Sequence, residues 1–498
     1  MDLVIRGATV YDGSGGPPRV ADVAVTGGKI EAVGERLPGG AGVEVPAAGL
    51  ALSPGFIDVH SHDDFAIFVS PQMDFKVGQG VTTDVVGNCG FGAAPFASSR
   101  AYLSLFGADR ESLPVWDTYS EYLGAIEADP PSLNVAVLVG HGPLRLDAMG
   151  NERRAPKDTE LARMIETLAA ALEAGCVGLS TGLIYEPGRY SSSDELIALA
   201  RGMAQVGGVY ASHMRNEAGG LLDAVSETIR IGEESDTAVQ ISHHKASGES
   251  AWGLVRDSLA AIDKARAAGV DVTADQYPYT AASTTLFAVL QNYEEGTAGI
   301  GVVDWSTIVL VSSPRHPDWE GRALSDLAAE FRVTPVEVAQ RIVDAEGYGA
   351  VVVIKSMNED DVRTVMAHPT TMIGSDGIPT LGGKPHPRLY GTFARVLGHY
   401  VRDDPVLSLR EAVHRMTGMP AAKFGLSGRG TIAPGAQADL VLFDPATIDD
   451  KATYESPRQH PSGIAGVWVN GTAVMRDGVH TGERPGRAVR STHRRSPR

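Results

Sequence analysis

Cysteine is scarce in this chain. Only two cysteines, Cys89 and Cys176, occur among 498 residues, so a disulfide framework is excluded and a reducing compartment fits. Net positive charge is lacking too, with 43 Lys and Arg against 61 Asp and Glu for a balance of −18. That balance disfavours a nucleic acid or an anionic membrane surface as partner. No apolar run approaches the length of a membrane span, and the opening MDLVIRGATV has neither the basic start nor the uninterrupted apolar core of a secretory signal. These absences lead to the expectation of a soluble cytoplasmic protein. What the chain does have is material for a core: a hydrophobic content of 43% suits one large domain with a smaller appendage.

Residues 1–53 alternate polar and apolar over short runs such as LVIRGATV and DVAVTGGKIEAVG, with glycine-rich turns between them, which reads as a small β unit. From Phe56 the pattern changes. Apolar β-like runs at 56–62, 81–90, 134–142, 175–183, 208–214, 238–245, 271–279 and 371–377 are separated by helix-length stretches such as LARMIETLAAALEAG. This rhythm predicts an α/β fold with a closed TIM-like (β/α)8 barrel over 54–414. The long gap before the last run, containing LSDLAAEFRVTPVEVAQRIVDAEG, is expected to be an insertion over 284–350 that covers the site. The β pattern returns in ADLVLFDP and GVWVNGTAVMRDG. Residues 1–53 and 415–483 are therefore expected to form one β-sandwich domain. The basic tail, 484–498, is expected to be disordered.

In such barrels chemistry sits at the C-terminal ends of the strands, and nearly every run here ends in a reactive residue. The first ends in His60 and His62, the second in Asn88-Cys89-Gly90, and the fourth runs into Tyr185. The fifth ends at His213, the sixth at His243-His244-Lys245, the seventh at Asp275 to Tyr279, and the eighth at Asp376. A His-x-His pair closing a strand can hold a metal or be two ordinary polar residues. Cys89, His213 and His243 together supply one thiolate and two imidazoles and leave a fourth tetrahedral position open, as a catalytic zinc requires. A buried free cysteine is more often a small hydrophobe, but the place of Cys89 between glycine-rich residues at a strand end favours the ligand. His243 is preferred over His244 because it lies an even number of residues from Ile241 and Val239, on the face expected to point inward. Cys176, at the start of its run, reads as structural. Asp376, flanked by small residues in IGSDG, is placed to take a proton from water and return it to a leaving group; the plain alternative is a cap.

These motifs resemble the metal-dependent amidohydrolase superfamily, and within it the N-acyl-D-amino-acid deacylases, or D-aminoacylases. RGATVYDGSG, PGFIDVHSHDD, TTDVVGNCGFG, GLSTGLIYEPG, ASHMRNE, ISHHK, DQYPYTAAST, IGSDG, HPRLYGTFARVLG and GTIAPGAQADLVLFDP carry the likeness over nearly the whole chain. GNCG, HMRNE and ISHHK together are specific to the deacylase subgroup. Many relatives bridge two metals with a modified lysine on the fourth strand. This chain has none in GCVGLSTGL, and the resemblance gives its place to Cys89. It implies a tight zinc at Cys89, His213 and His243 and a second, weaker site at His60 and His62. It implies Asp376 as proton shuttle and Tyr185 as a donor to the developing oxyanion. Lys245, Tyr277, Ser283 and Arg388 would hold the substrate's free α-carboxylate.

The implied activity is zinc-dependent hydrolysis of the linear amide of an N-acyl-D-amino acid, by a monomer or small homo-oligomer. Opening of a cyclic amide, as in a hydantoinase, or dipeptide cleavage is the alternative. The side-chain pocket is expected to involve Phe287, Leu290 and Gln291. The absence of a cation from Thr284 to Thr307 points to a neutral or apolar substrate side chain.

Overall fold

The computed structural model describes residues 1–106, 113–204, 206–294, 296, 298–300, 304–380 and 382–491. At its centre eight parallel strands pair in sequence order: β1 (Phe56–Asp58), β2 (Val81–Val86), β3 (Asn134–Gly140), β4 (Gly178–Gly182), β5 (Val209–His213), β6 (Ala238–Ile241), β7 (Val272–Gln276) and β8 (Thr371–Ile373). Each lies within a run expected from the sequence. The seam between β8 and β1 is closed by the Asp376 N–H donating to the His60 carbonyl at 2.7 Å and the His62 N–H donating to the Gly377 carbonyl at 3.2 Å. The segments that carry candidate metal ligands thus complete the barrel.

Helices wrap the outside because their sequences have one apolar stripe. In Asp158–Ala174 the buried residues are Met164, Leu168, Ala171 and Leu172, spaced for one helix face. Asp158 and Glu160 occupy the first turn, where the helix dipole favours a negative charge. Gly175 ends the helix at φ 115°, a conformation that glycine adopts without strain. Inside the barrel, Ile57, Val85, Ala136, Leu138, Val177, Val209, Ala211 and Met372 form one cluster with Phe424 and Leu426. Packing fills this end and leaves the chemistry to the other.

Both chain ends build a second unit. Leu3–Val10, Arg19–Thr26, Lys29–Gly34, Val43–Pro46 and Ala51–Pro54 join Leu440–Phe443, Ile464–Val469, Thr472–Arg476 and Val479–His480 in one nine-stranded sheet. The two halves meet where Ala51–Pro54 pairs antiparallel with Leu440–Phe443, over a separate core that includes Ile5, Val23, Leu52, Leu440 and Trp468.

Three expected boundaries move. The barrel's helical layer continues past 414 through Leu409–Met416 and Gly418–Phe424, because Ala421 and Phe424 complete the interior cluster. The insertion carries its own sheet, beginning at Ala281–Thr285 and ending at Val351–Lys355, slightly wider than 284–350. The tail expected to be disordered over 484–498 is extended through residue 491: Gly486 donates to the Pro131 carbonyl, Val489 to Val135 and Ser491 to Gly175. These bonds fix a segment whose composition alone reads as solvated. The remaining tail residues, 492–498, lie outside the described residues. No helix among the described residues is long and apolar enough to cross a membrane.

Candidate metal centre and cleft

At the C-terminal ends of the strands the chain turns sharply, and those turns bring the polar groups together. Cys89, His243 and Asp376 have φ of 54°, 35° and 51°, a left-handed conformation uncommon for non-glycine residues and concentrated at functional sites. Gly90 has φ 73°, and a Cβ there would lie 2.6 Å from the Gly182 nitrogen, so the cysteine turn needs glycine next to it.

The donor atoms converge. His213 Nδ1 lies 2.8 Å from His243 Nε2, which is 3.5 Å from Cys89 Sγ. Cys89 Sγ is 3.2 Å from His60 Nε2. Asp376 Oδ1 stands 3.4 Å from His60 Nε2 and 3.1 Å from His62 Nε2. All six residues are buried. Among the described residues two groups could hold a cation: His60, Cys89, His243 and Asp376, and His213, Glu217 and His243. Sulfur, nitrogen and oxygen lone pairs aimed at one small region are the donor set that zinc accepts.

The electrostatics fit the same reading. Burial alone would raise the Cys89 thiol, but the charges of His60 and His243 and hydrogen bonds from His213 and His243 hold it well below its usual value. Burial also opposes ionisation of Asp376, yet Arg388, followed by His60 and His243, brings its carboxyl well below the ordinary range. For His62 burial disfavours the charged ring, but the Asp376 hydrogen bond and Cys89 outweigh it and push it up to about 9. A thiolate and a carboxylate here call for compensating positive charge. A divalent cation would supply it and let the imidazoles lose their protons.

Sequence reasoning gave no role to two carboxylates that orient these rings. Glu217 Oε1 is 2.9 Å from His243 Nδ1 and 2.6 Å from Lys245 Nζ. Asp275 Oδ1 is 3.0 Å from His60 Nδ1 and accepts the His243 N–H at 2.8 Å. Carboxylates behind metal-directed imidazoles fix ring orientation and tautomer. The available signals were Glu217 four residues after His213 in HMRNE and Asp275 at a strand end. His243 does not reach the site from the inward face of β6, which ends two residues before it. Val239 and Ile241 belong to the core shared with the helix residues Val255, Leu259 and Ile262, while β6 stops at Ile241 and the following turn swings His243 into the site. His244 turns away and bonds Ser258 at 2.8 Å. Cys176 lies two residues before β4, away from this cluster, and burial raises its thiol.

A cleft opens over the cluster, and its walls include His62, Tyr185, His213, Lys245, Tyr277, Ser283 and Asp376. Its apolar wall includes Phe91, Leu105, Ile184, Ile300, Ile354 and Ile378. Phe287 and Leu290, expected at the pocket, instead pack within the insertion's own core, and Gln291 bonds Glu186. Their helix turns its apolar face onto the inserted sheet. Arg388 is fully buried, with Nη1 2.9 Å from Asp376 Oδ2, Nη2 donating to the Ser283 carbonyl at 3.2 Å, and its guanidinium 4.6 Å from the Tyr277 ring centre. The Tyr277 hydroxyl and Arg388 Nε make no well-aligned hydrogen bond among the described residues.

Residues 44–475 match the model of the amidohydrolase family. An N-acyl-D-glutamate deacylase of Alcaligenes xylosoxydans xylosoxydans is 42% identical over 98% of this chain and 96% of its own length. A D-aminoacylase of the same organism is 40% identical over 99% of this chain and 98% of its own. The crystal structure of an N-acyl-D-glutamate deacylase from Bordetella bronchiseptica, complexed with zinc and a phosphonate inhibitor that mimics the tetrahedral intermediate, superposes with a TM-score of 0.90. It is 41% identical, with 99% of this chain and 100% of that one covered.

Proposed function

The chain belongs to the amidohydrolase family, and from that premise we propose that it uses zinc to hydrolyse the amide bond of N-acyl-D-amino acids, releasing a carboxylic acid and a D-amino acid. The observation that carries the reading is the approach of His243 Nε2 to His213 Nδ1 at 2.8 Å and to Cys89 Sγ at 3.5 Å, with Cys89 and His243 in one cation-capable group with Asp376. The tight zinc is assigned to Cys89, His213 and His243, and a second, weaker site to His60 and His62. Zinc, when bound, supplies Lewis-acid polarisation of the substrate carbonyl and makes water acidic enough to ionise near neutral pH.

The chain's own groups do the rest. Asp376, held ionised by Arg388, accepts the proton of the attacking water and later delivers it to the amide nitrogen, so base and acid are one carboxyl group. The Tyr185 hydroxyl, kept protonated chiefly by burial, donates to the oxygen that gains negative charge. Lys245, Tyr277, Ser283 and Arg388 hold the α-carboxylate. Support comes from the spare donor capacity of the buried Tyr277 hydroxyl and Arg388 Nε, since a buried donor gains most when an anion arrives. The apolar wall supports a neutral or apolar substrate side chain. Three fixed points (metal, carboxylate clamp and side-chain wall) distinguish D from L.

The test is a kinetic panel on protein with measured zinc content: N-acetyl-D-methionine, D-leucine, D-glutamate and L-methionine, beside a hydantoin. Turnover of the D-methionine and D-leucine compounds ahead of the D-glutamate compound, and none of the L-compound, is expected. Asp376→Asn is expected to fold and lose about 10²- to 10⁴-fold in kcat. Preferential hydrolysis of the hydantoin, or a dialysed protein free of zinc with full activity, would reject the proposal.

A further inference from the structure

Tyr185 lies beyond β4, in the loop that runs from strand end to helix. Its ring is packed against Phe91 and meets the edge of His213, each with centroids 5.0 Å apart. Its backbone is tied at both sides, the N–H donating to the Gly182 carbonyl at 3.2 Å and the carbonyl accepting from Arg189 at 2.8 Å. The ring is therefore fixed, but a phenol keeps one rotational freedom, the direction of its O–H bond. Thr284 Oγ1 lies 3.0 Å from the Tyr185 oxygen.

Thr284 is not part of the barrel. It belongs to Ala281–Thr285, the first strand of the inserted sheet, where it stands opposite Val352 in an antiparallel pair. A β-branched residue in a paired strand has little χ1 freedom, so its hydroxyl is a stiff partner. A second link joins the same loop to the insertion, with Gln291 donating to Glu186, the residue after Tyr185.

We propose that Thr284 is a positioning residue for Tyr185: the threonine hydroxyl donates to the phenol oxygen, so that the phenol proton points into the cleft. A phenol that already accepts one hydrogen bond is a better donor in the next, because chained hydrogen bonds polarise each other. The proposal rests on the reading of Tyr185 as oxyanion donor, and it makes the insertion a working part of the site as well as its wall.

The test compares Thr284→Val, Thr284→Ser, Tyr185→Phe and the Thr284→Val/Tyr185→Phe double variant on N-acetyl-D-methionine, with zinc content and thermal unfolding measured for each. Tyr185→Phe is expected to lower kcat by about 10²- to 10³-fold, the usual loss of one oxyanion donor. Thr284→Val should lower kcat by about tenfold, the worth of one hydrogen bond, with KM, zinc content and unfolding temperature unchanged. Thr284→Ser should restore the rate. In the Tyr185→Phe background Thr284→Val should cost nothing further. If Thr284→Val lowers kcat equally in both backgrounds, or not at all, while Tyr185→Phe is impaired, the role of Thr284 is overturned and that of Tyr185 stands. If Tyr185→Phe turns over like the parent, both fall.

Discussion

Glu217 Oε1 stands 2.9 Å from His243 Nδ1. Lys245 Nζ lies 2.8 Å from the same ring nitrogen, and the opposite nitrogen, Nε2, faces Cys89 Sγ and His213 Nδ1. The same oxygen accepts from Lys245, and Lys245, His213 and His243 together overcome the burial that would otherwise raise the Glu217 carboxyl, which lies below its usual value.

Replacing Glu217 by Gln keeps the shape but removes the charge that makes the imidazole a better ligand. Zinc affinity is expected to fall about 10- to 100-fold, the usual cost of losing an outer partner of a metal-bound histidine. Competition with a chromophoric chelator measures it. An affinity within twofold of the parent would show that Glu217 serves Lys245 alone.

The eight barrel strands were legible because parallel strands covered on both faces read as short apolar runs, and their reactive last residues marked the functional end. The fine orientation was not. A period of two applies within a strand, and β6 ends at Ile241, so counting onward does not carry through the turn that places His243. Glu217 was obscured because its partner Lys245 is 28 residues further on and the two meet only through the barrel's closure. Phe287 and Leu290 were misplaced because composition does not reveal which way an amphipathic helix turns. Nothing local distinguishes Lys76, in the short helix Asp74–Val77, from a surface lysine.

Lys76 lies under the centre. Its Nζ donates to Asp58 Oδ2 at 2.5 Å and Ser375 Oγ at 3.0 Å, with Asp63 at 3.1 Å and Asp84 at 3.8 Å. Asp58 Oδ1 in turn accepts the N–H of His60 and that of Ser375, so this cage ties β1 to β8 beside their metal-capable residues. Lys76→Met leaves buried carboxylates without a counter-charge and is expected to cost about 3–5 kcal/mol. Adding Asp58→Asn, which retains the accepting oxygen, should restore part of that loss. Urea unfolding of zinc-loaded protein measures both. An unchanged midpoint for Lys76→Met would contradict the cage's role.

Far from the cleft, Lys423 on the helix Gly418–Phe424 donates to Asp271 Oδ1 at 2.9 Å and to the Asp271 carbonyl at 3.2 Å. Burial lowers its ammonium from 10.5 to about 8, and Asp271 offsets only part of the shift. Between those values the unfolded chain binds more protons than the folded one, so folding stability rises with pH across that window. Below about pH 8 both states carry the charge and the folded state bears the full penalty, which the shift sets at about 3 kcal/mol. Relative to Lys423→Met, which cannot titrate, the parent should therefore gain stability from pH 8 to pH 10. Unfolding free energies of the two proteins at matched pH measure the difference. A difference that stays constant, or shrinks against the parent as pH rises, would mean that the ammonium is solvated well enough to keep its ordinary affinity for protons.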